Sequence, residues 1–233
     1  MQVLVTRPQG QEQGLMAALG QAGYQPCHSP ALLIEPLPVT AAMRRTLMDL
    51  DLYHGVFFAS PNAARLALSA MADLWPQWPV GVHWLAVGRA TAAELGQWQL
   101  TAEVPASGFN SEAVLALPCL QDIQEKKVLL CRGETGRELL AQTLQARGAE
   151  VSSLAFYRRQ PNPGFHCPPG CDWAMITSVE SWHSAASGLP AGCGVIAAGE
   201  RVAAQIRASF DGTVITAASA HDDDMLAALP ALQ

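Results

Sequence analysis

The residues best suited to chemistry are small polar ones that recur where a short apolar run stops: Thr6-Arg7-Pro8, Ser60-Pro61-Asn62, Gly88-Arg89-Ala90-Thr91, Cys131-Arg132-Gly133-Glu134, Thr177-Ser178-Val179-Glu180 and Gly199-Glu200-Arg201. Each run reads as a buried strand and the stretch beyond as a helix, so each polar group occupies a strand-to-helix turn. The first N–H groups of a helix have no intrahelical acceptor and make a seat for an anion. Singly, Ser, Thr and Gly in such places are helix caps first. Together on one edge of a sheet they amount to scattered donors for carboxylate or phosphate. Tyr157, one of only three tyrosines, is different in kind, being flanked by Arg158 and Arg159. It reads equally as a half-buried strand aromatic or as a functional phenol.

Other clusters carry less. His221-Asp222-Asp223-Asp224 precedes a predicted helix, where carboxylates complement the positive end of the dipole. His166-Cys167-Pro-Pro-Gly-Cys171 offers two thiols and an imidazole, but the sequence shows no second pair at ligand spacing, so it reads as a loop. The six cysteines form no secreted-domain framework, and free thiols with no metal are expected. Lys126 and Lys127 are the only lysines and no glycine-rich phosphate loop follows a strand, so a nucleotide site is not expected. No nucleophile elbow or Ser-His-Asp order is present. A formal net charge of -6 argues against a nucleic-acid surface.

These turns must be held by repeated βα units. Residues 3–23 recur as 128–148 with six of 21 positions identical, Val3/Val128, Leu4/Leu129, Arg7/Arg132, Leu15/Leu140, Leu19/Leu144 and Gly23/Gly148. Each copy reads as strand, polar turn, amphipathic helix and a closing glycine suited to a left-handed cap. Fainter echoes follow in the same order: Phe58-Ala59-Ser60 with Ile176-Thr177-Ser178, Ala86-Val87-Gly88 with Ala197-Ala198-Gly199, and Leu115-Ala116-Leu117-Pro118 with Ala227-Ala228-Leu229-Pro230. Two homologous halves are expected. Between the copies the pattern predicts a strand at 31–34, then helix 40–52, strand 55–60, helix 62–74, strand 82–87, helix 89–98, strand 102–104, and helix 111–117 capped by Ser111. After the second copy it predicts strand 151–159, strand 173–177, helix 181–187, strand 194–198, helix 201–209, strand 213–216 and helix 222–231. Strands alternating with helices predict parallel sheets covered on both faces, with ligands beyond the carboxyl ends of the strands.

Half of the 233 residues are hydrophobic and 15% are charged, enough for two packed cores. No apolar run approaches the ~20 residues of a membrane span, and the N-terminus shows no export signal. A cytoplasmic protein is expected.

The chain resembles the uroporphyrinogen-III synthase family over nearly its whole length. The resemblance rests on Val3-Leu4-Val5-Thr6-Arg7-Pro8, Phe58-Ala59-Ser60-Pro61-Asn62-Ala63, Ala86-Val87-Gly88-Arg89-Ala90-Thr91-Ala92, Ser107-Gly108-Phe109-Asn110-Ser111-Glu112, Arg132-Gly133, Tyr157-Arg158-Arg159, Ile176-Thr177-Ser178 and Ala198-Gly199-Glu200-Arg201. It departs from the family pattern at Ala59 and Val202, where Thr is common, so no hydroxyl contact is carried over there.

The resemblance implies two flavodoxin-like α/β domains joined by a two-stranded antiparallel linker, with an active-site cleft between them. One domain would comprise residues 1–34 with 161–233 and the other 38–153, bridged by 34–38 and 153–161. It implies cyclisation of hydroxymethylbilane to uroporphyrinogen III, with loss of water and inversion of ring D through a spiro intermediate, by a monomer without cofactor. Tyr157 would be the catalytic side chain. Thr6, Arg7, Ser60, Asn62, Gly88, Arg89, Thr91, Arg132, Gly133, Thr177, Ser178 and Gly199 would bind substrate. A reading from the residues alone also admits a two-lobed binding protein that closes on a small anion without chemistry.

Overall fold

The computed structural model describes residues 1–106, 108, 110–136 and 138–231. Contacts divide them into two units: residues 1–34 with 160–233, and residues 35–159. The chain passes between the units within two strands, Leu32–Pro36 and Glu150–Pro161, which are neighbours at the edge of the second sheet.

In the first unit, β1 (Gln2–Val5), α1 (Gln13–Gln21) and β2 (Gln25–His28) open the chain. The second begins after β3 (Leu32–Pro36), with α2 (Ala41–Met48), β4 (Gly55–Phe58), α3 (Pro61–Ala72), β5 (His83–Ala86), α4 (Arg89–Gly96) and α5 (Ser111–Leu115). It ends with β6 (Lys127–Gly133), α6 (Leu139–Ala146) and β7 (Glu150–Pro161). The chain then completes the first unit with β8 (Trp173–Ile176), α7 (Val179–Ala185), β9 (Gly194–Ala198), α8 (Glu200–Arg207), β10 (Val214–Ala217) and α9 (Asp222–Ala227).

The first sheet runs β10-β9-β8-β1-β2, parallel throughout. Numbered within its own unit, that is the doubly wound order 2-1-3-4-5, whose switch point lies between β1 and β8. The second sheet runs β3-β7-β6-β4-β5. Its core of β7, β6, β4 and β5 follows the same order with the switch point between β6 and β4, although the repeated βαβ unit now comes last in the chain. The repeat is literal in the register: Gln2 pairs with Gln25 and Lys127 with Glu150, the same separation of 23 residues. Both helices of the repeat close on a glycine in the left-handed region, Gly23 and Gly148, each with φ of 87°. The Tyr24 and Ala149 N–H groups reach back to the Leu19 and Leu144 carbonyls, which satisfies orphan acceptors at the helix ends.

Strand composition follows from burial on both faces. In the second sheet Val56, Phe58, Leu129, Cys131 and Phe156 pack on one side against Leu47, Ala64, Leu68, Met71 and Leu95. Phe57, Leu85, Val128 and Leu130 pack on the other against Leu115, Leu140 and Leu144. In the first sheet Val3, Val5, Met175 and Ile196 face Leu15, Leu19 and Met225, while Ile176, Val195 and Ala197 face Trp182, Val202 and Ile206.

Three local expectations change. Residues 102–104 form no strand beyond a single bridge from Glu103 to Leu85. The cap of α5 is Asn110, whose side chain accepts from the Ala113 N–H, and Ser111 is the first helical residue. Arg132 and Gly133 belong to β6, which runs three residues further than β1 does, because β7 extends to Pro161 and gives it a longer partner.

Candidate active site

At the carboxyl ends of β4 and β6, on either side of the second switch point, lies a cavity of about 280 Å³. Phe57, Val87, Leu130 and Leu140 give it apolar walls; Asn110, Ser111, Arg132, Thr135, Tyr157 and Arg159 give it polar ones, with Ala59, Gly133 and Gly136 completing the lining. Open doubly wound sheets bind ligands in this position because two neighbouring crossovers leave in opposite directions there.

Tyr157 is held by the strand register. Along β6 and β7 the pairing advances one for one until Arg132 opposes Ala155, and then Gly133 opposes Tyr157. That irregularity lays the phenol against Gly133: a Cβ on Gly133 would stand 2.8 Å from Cζ and 3.1 Å from the hydroxyl oxygen of Tyr157. Tyr157 is only 3% exposed, and its hydroxyl lies 3.0 Å from Ser60 Oγ. Ser60 is the N-cap of α3, where the same oxygen accepts from the Ala63 N–H at 3.1 Å. Its hydroxyl hydrogen is thereby available to Tyr157. Ser60→Ala is expected to cost about 1 kcal/mol of stability through the lost cap and to slow turnover by up to about tenfold. Denaturant unfolding and steady-state kinetics check the two effects separately.

The arginines beside Tyr157 diverge, as successive strand residues do. Arg159 faces the cavity with its guanidinium carbon 5.9 Å from the tyrosine ring centre, within cation–π range. Arg158 makes a bidentate pair with Glu35, both contacts 2.8 Å. Arg132 lines the cavity, donates to the Gly133 carbonyl and pairs with Glu138 at 2.7 Å. That hydrogen bond holds the Glu138 carboxyl below the usual carboxylate range. Cys131 is fully buried, and burial pushes its thiol up, so it offers no nucleophile here.

The other expected residues fall at strand ends of their own units. In the second unit, Asn62 and Thr91 are buried in the first turns of α3 and α4. Gly88 is the N-cap of α4 with no side-chain cap, and Arg89 follows it on the surface. In the first unit, Thr6 is buried and donates to the Met175 carbonyl at 2.6 Å, which joins the ends of β1 and β8. Thr177 is partly exposed, Ser178 caps α7 with a reciprocal bond from Ser181, and Gly199 caps α8. Arg7 pairs with Asp222 and donates to the Ala220 carbonyl, which ties the first turn to the acidic start of α9. Four of the six turns therefore are helix N-termini. The turns at Arg7 and Arg132 are not, since α1 starts at Gln13 and α6 at Leu139. Those duplicated arginines instead bond neighbouring carboxylates. Ala59 lines the cavity and Val202 lies in the core, 2% exposed. Ser107 and Phe109 lie outside the described residues.

Asn110, Ser111, Thr135, Gly136, Phe57 and Leu130 were not singled out from sequence as site residues. The motif around Asn110 was the available signal. Phe57 and Leu130 could be read only as core, since each sits mid-run in a buried strand.

The family model described as Uroporphyrinogen-III synthase HemD matches residues 13–227. The chain belongs to the uroporphyrinogen-III synthase family. It is 37% identical over 162 residues to the uroporphyrinogen-III synthase of Proteus mirabilis, a match covering 68% of this chain and 80% of that protein. It is also 37% identical over 166 residues to that of Escherichia coli K12, covering 68% of this chain and 65% of the relative. Solved structures of uroporphyrinogen III synthase share the fold: a mutant from the extremely thermophilic bacterium Thermus thermophilus at a TM-score of 0.61 and 16% identity, covering 97% of this chain and 96% of that one. A second, from Helicobacter pylori 26695, has a TM-score of 0.64 at 12% identity, covering 97% and 96%. The mixed α/β architecture with two parallel-dominated sheets is that of the uroporphyrinogen-III synthase family, whose members are enzymes of tetrapyrrole biosynthesis. No described helix is long and apolar enough to cross a membrane.

Proposed function

We propose that the cavity of the second unit receives the hydroxymethyl end of hydroxymethylbilane, and that Tyr157 is the hydrogen-bond and proton donor to the departing hydroxyl. The observation that carries this reading is the phenol at the wall of a part-polar cavity, fixed by Gly133 on one side and Ser60 on the other. With Ser60 Oγ donating to the Tyr157 oxygen, the phenolic hydrogen is directed elsewhere, toward a bound ligand. As the C–O bond breaks, the phenolic proton passes to the leaving oxygen, water departs, and the pyrrole nitrogen's electrons form the azafulvenium cation beside the phenolate. That carbon then bonds to the substituted position of ring D, giving the spiro intermediate. Its fragmentation and reclosure invert the ring and return a proton to the phenolate.

The substrate carries eight carboxylates, which suits the donors already described. Arg132 and Arg159 flank the cavity, and the start of α4 on Gly88 offers N–H groups without a side-chain competitor. A volume of about 280 Å³ suits one substituted pyrrole rather than a whole tetrapyrrole, so the remaining carboxylates extend beyond it. Arg7, Thr177, Ser178 and Gly199 are donors to those carboxylates in this reading, whereas Thr6, buried with its hydroxyl given to the Met175 carbonyl, fixes the strand ends beside them. The work of the protein is chiefly positioning, because the free bilane loses water readily but closes without inversion.

The test is to supply hydroxymethylbilane to the purified chain and resolve the product isomers. Uroporphyrinogen III as the main product, formed faster than spontaneous closure, is the expected result. Isomer I alone at the uncatalysed rate would refute the assignment.

A further inference from the structure

We propose that Cys27, Cys167, Cys171 and Cys193 form a tetrathiolate site for a zinc ion that clamps the loop before β8 onto the first sheet. The Sγ atoms of Cys167, Cys171 and Cys193 lie within 4.8 Å of one another. The fourth thiol, Cys27, packs against the same cluster and donates to the Val3 carbonyl at 3.6 Å. Zinc held by four sulfurs at ~2.3 Å places them about 3.8 Å apart in a tetrahedron; the first three are already near that spacing, and Cys27 would turn from the Val3 carbonyl to complete the set.

The ligands come from three separate pieces of the unit. Cys27 lies in β2, Cys171 two residues before β8 and Cys193 directly before β9. Cys167 and Cys171 flank Pro168-Pro169-Gly170, and Gly170 has φ of 78°, a left-handed conformation that reverses the chain between the two thiols. Leu4 and Ala174 join Cys171 and Cys193 in a small cluster, with Phe165 and Leu189 against it. No helix or strand occurs between Asn162 and Asp172, so this part of the sheet is covered by turns alone. A cover that thin has little apolar area to hold it, and a metal clip supplies what packing lacks.

Zinc binding would displace the thiol protons to solvent and leave four Zn–S bonds. Four protein ligands leave no position for water, so the site is structural and separate from the chemistry at Tyr157. His166 is exposed, with Nδ1 on the Gly164 carbonyl, and is outside the ligand set. A second possible group, His83, Glu103 and Cys119, is half-exposed, and its imidazole and carboxylate already satisfy each other.

The full chain, purified without chelator and dialysed against metal-free buffer, is expected to retain one zinc per chain by elemental analysis. Cobalt added to metal-stripped protein should give thiolate-to-cobalt charge-transfer absorption and the intense ligand-field bands of tetrahedral coordination. Both signals should be lost in Cys171→Ser and Cys193→Ser and kept in Cys119→Ser and His166→Ala. The cobalt spectrum of the unaltered chain needs no variant to fold, so it stands as an independent readout. A chain without bound zinc and without a thiolate–cobalt spectrum overturns the proposal. So does a disulfide among these four cysteines in mass spectrometry without reductant, or metal retained by Cys171→Ser and lost from Cys119→Ser.

Discussion

Tyr157→Phe is expected to lower single-turnover rate by about 10²-fold while uroporphyrinogen III remains the product. The phenol carries a hydrogen-bond donor that phenylalanine lacks, so its removal takes away one proton-transfer partner without disturbing the cavity wall. The ring stays wedged beside Gly133, and Arg132 and Arg159 are untouched. Isomer identity depends on how the bilane is curled, which many contacts share, whereas loss of the hydroxyl depends on one group. Rate and isomer ratio should therefore separate. An unchanged rate would make Tyr157 a packing residue; a rise in isomer I would make it part of the template.

Gly133→Ala is expected to cost roughly 10- to 100-fold in the same rate with little loss of fold. Gly133 is outside the left-handed region, so an alanine can adopt its backbone. The new Cβ would meet Tyr157 Cζ at 2.8 Å and Cε2 at 3.0 Å, closer than carbon atoms approach. The ring is nearly fully buried and must shift by several tenths of an ångström, which displaces its hydroxyl from the position that Ser60 helps to fix. Misplacement on this scale is enough to cost up to about 10²-fold when positioning carries the reaction. Far-ultraviolet circular dichroism close to that of the unaltered chain, together with the slower rate, is the expected pairing.

Much of this arrangement was legible in the chain. The repeat from Val3 to Gly23 and from Val128 to Gly148 marked the βαβ unit of each sheet, and both closing glycines adopt the left-handed cap the pattern demands. Ser60, Gly88, Ser178 and Gly199 were readable as helix starts because capping is a local requirement. Gly133 shows what locality misses. Its sequence neighbours suggest a turn, but its role comes from a strand pairing with Tyr157 that no nearby residue announces. The cysteines show the same limit: Cys167 and Cys171 read as a loop until the sheet brings Cys193 beside them and packs Cys27 against the cluster. Arg7 and Arg132 looked like unengaged anion binders, yet Asp222 and Glu138 are already their partners through tertiary contacts.

The most direct test of the Tyr157 assignment is a double-mutant cycle between Gly133 and Tyr157, read as single-turnover conversion of hydroxymethylbilane. If Gly133 acts by placing the phenolic hydroxyl, Gly133→Ala should have little further effect once Tyr157→Phe is present, and the double variant should be about as slow as Tyr157→Phe alone. Losses that instead multiply would mean that Gly133 and Tyr157 act independently, and would contradict the assignment of this phenol as the donor to the leaving hydroxyl.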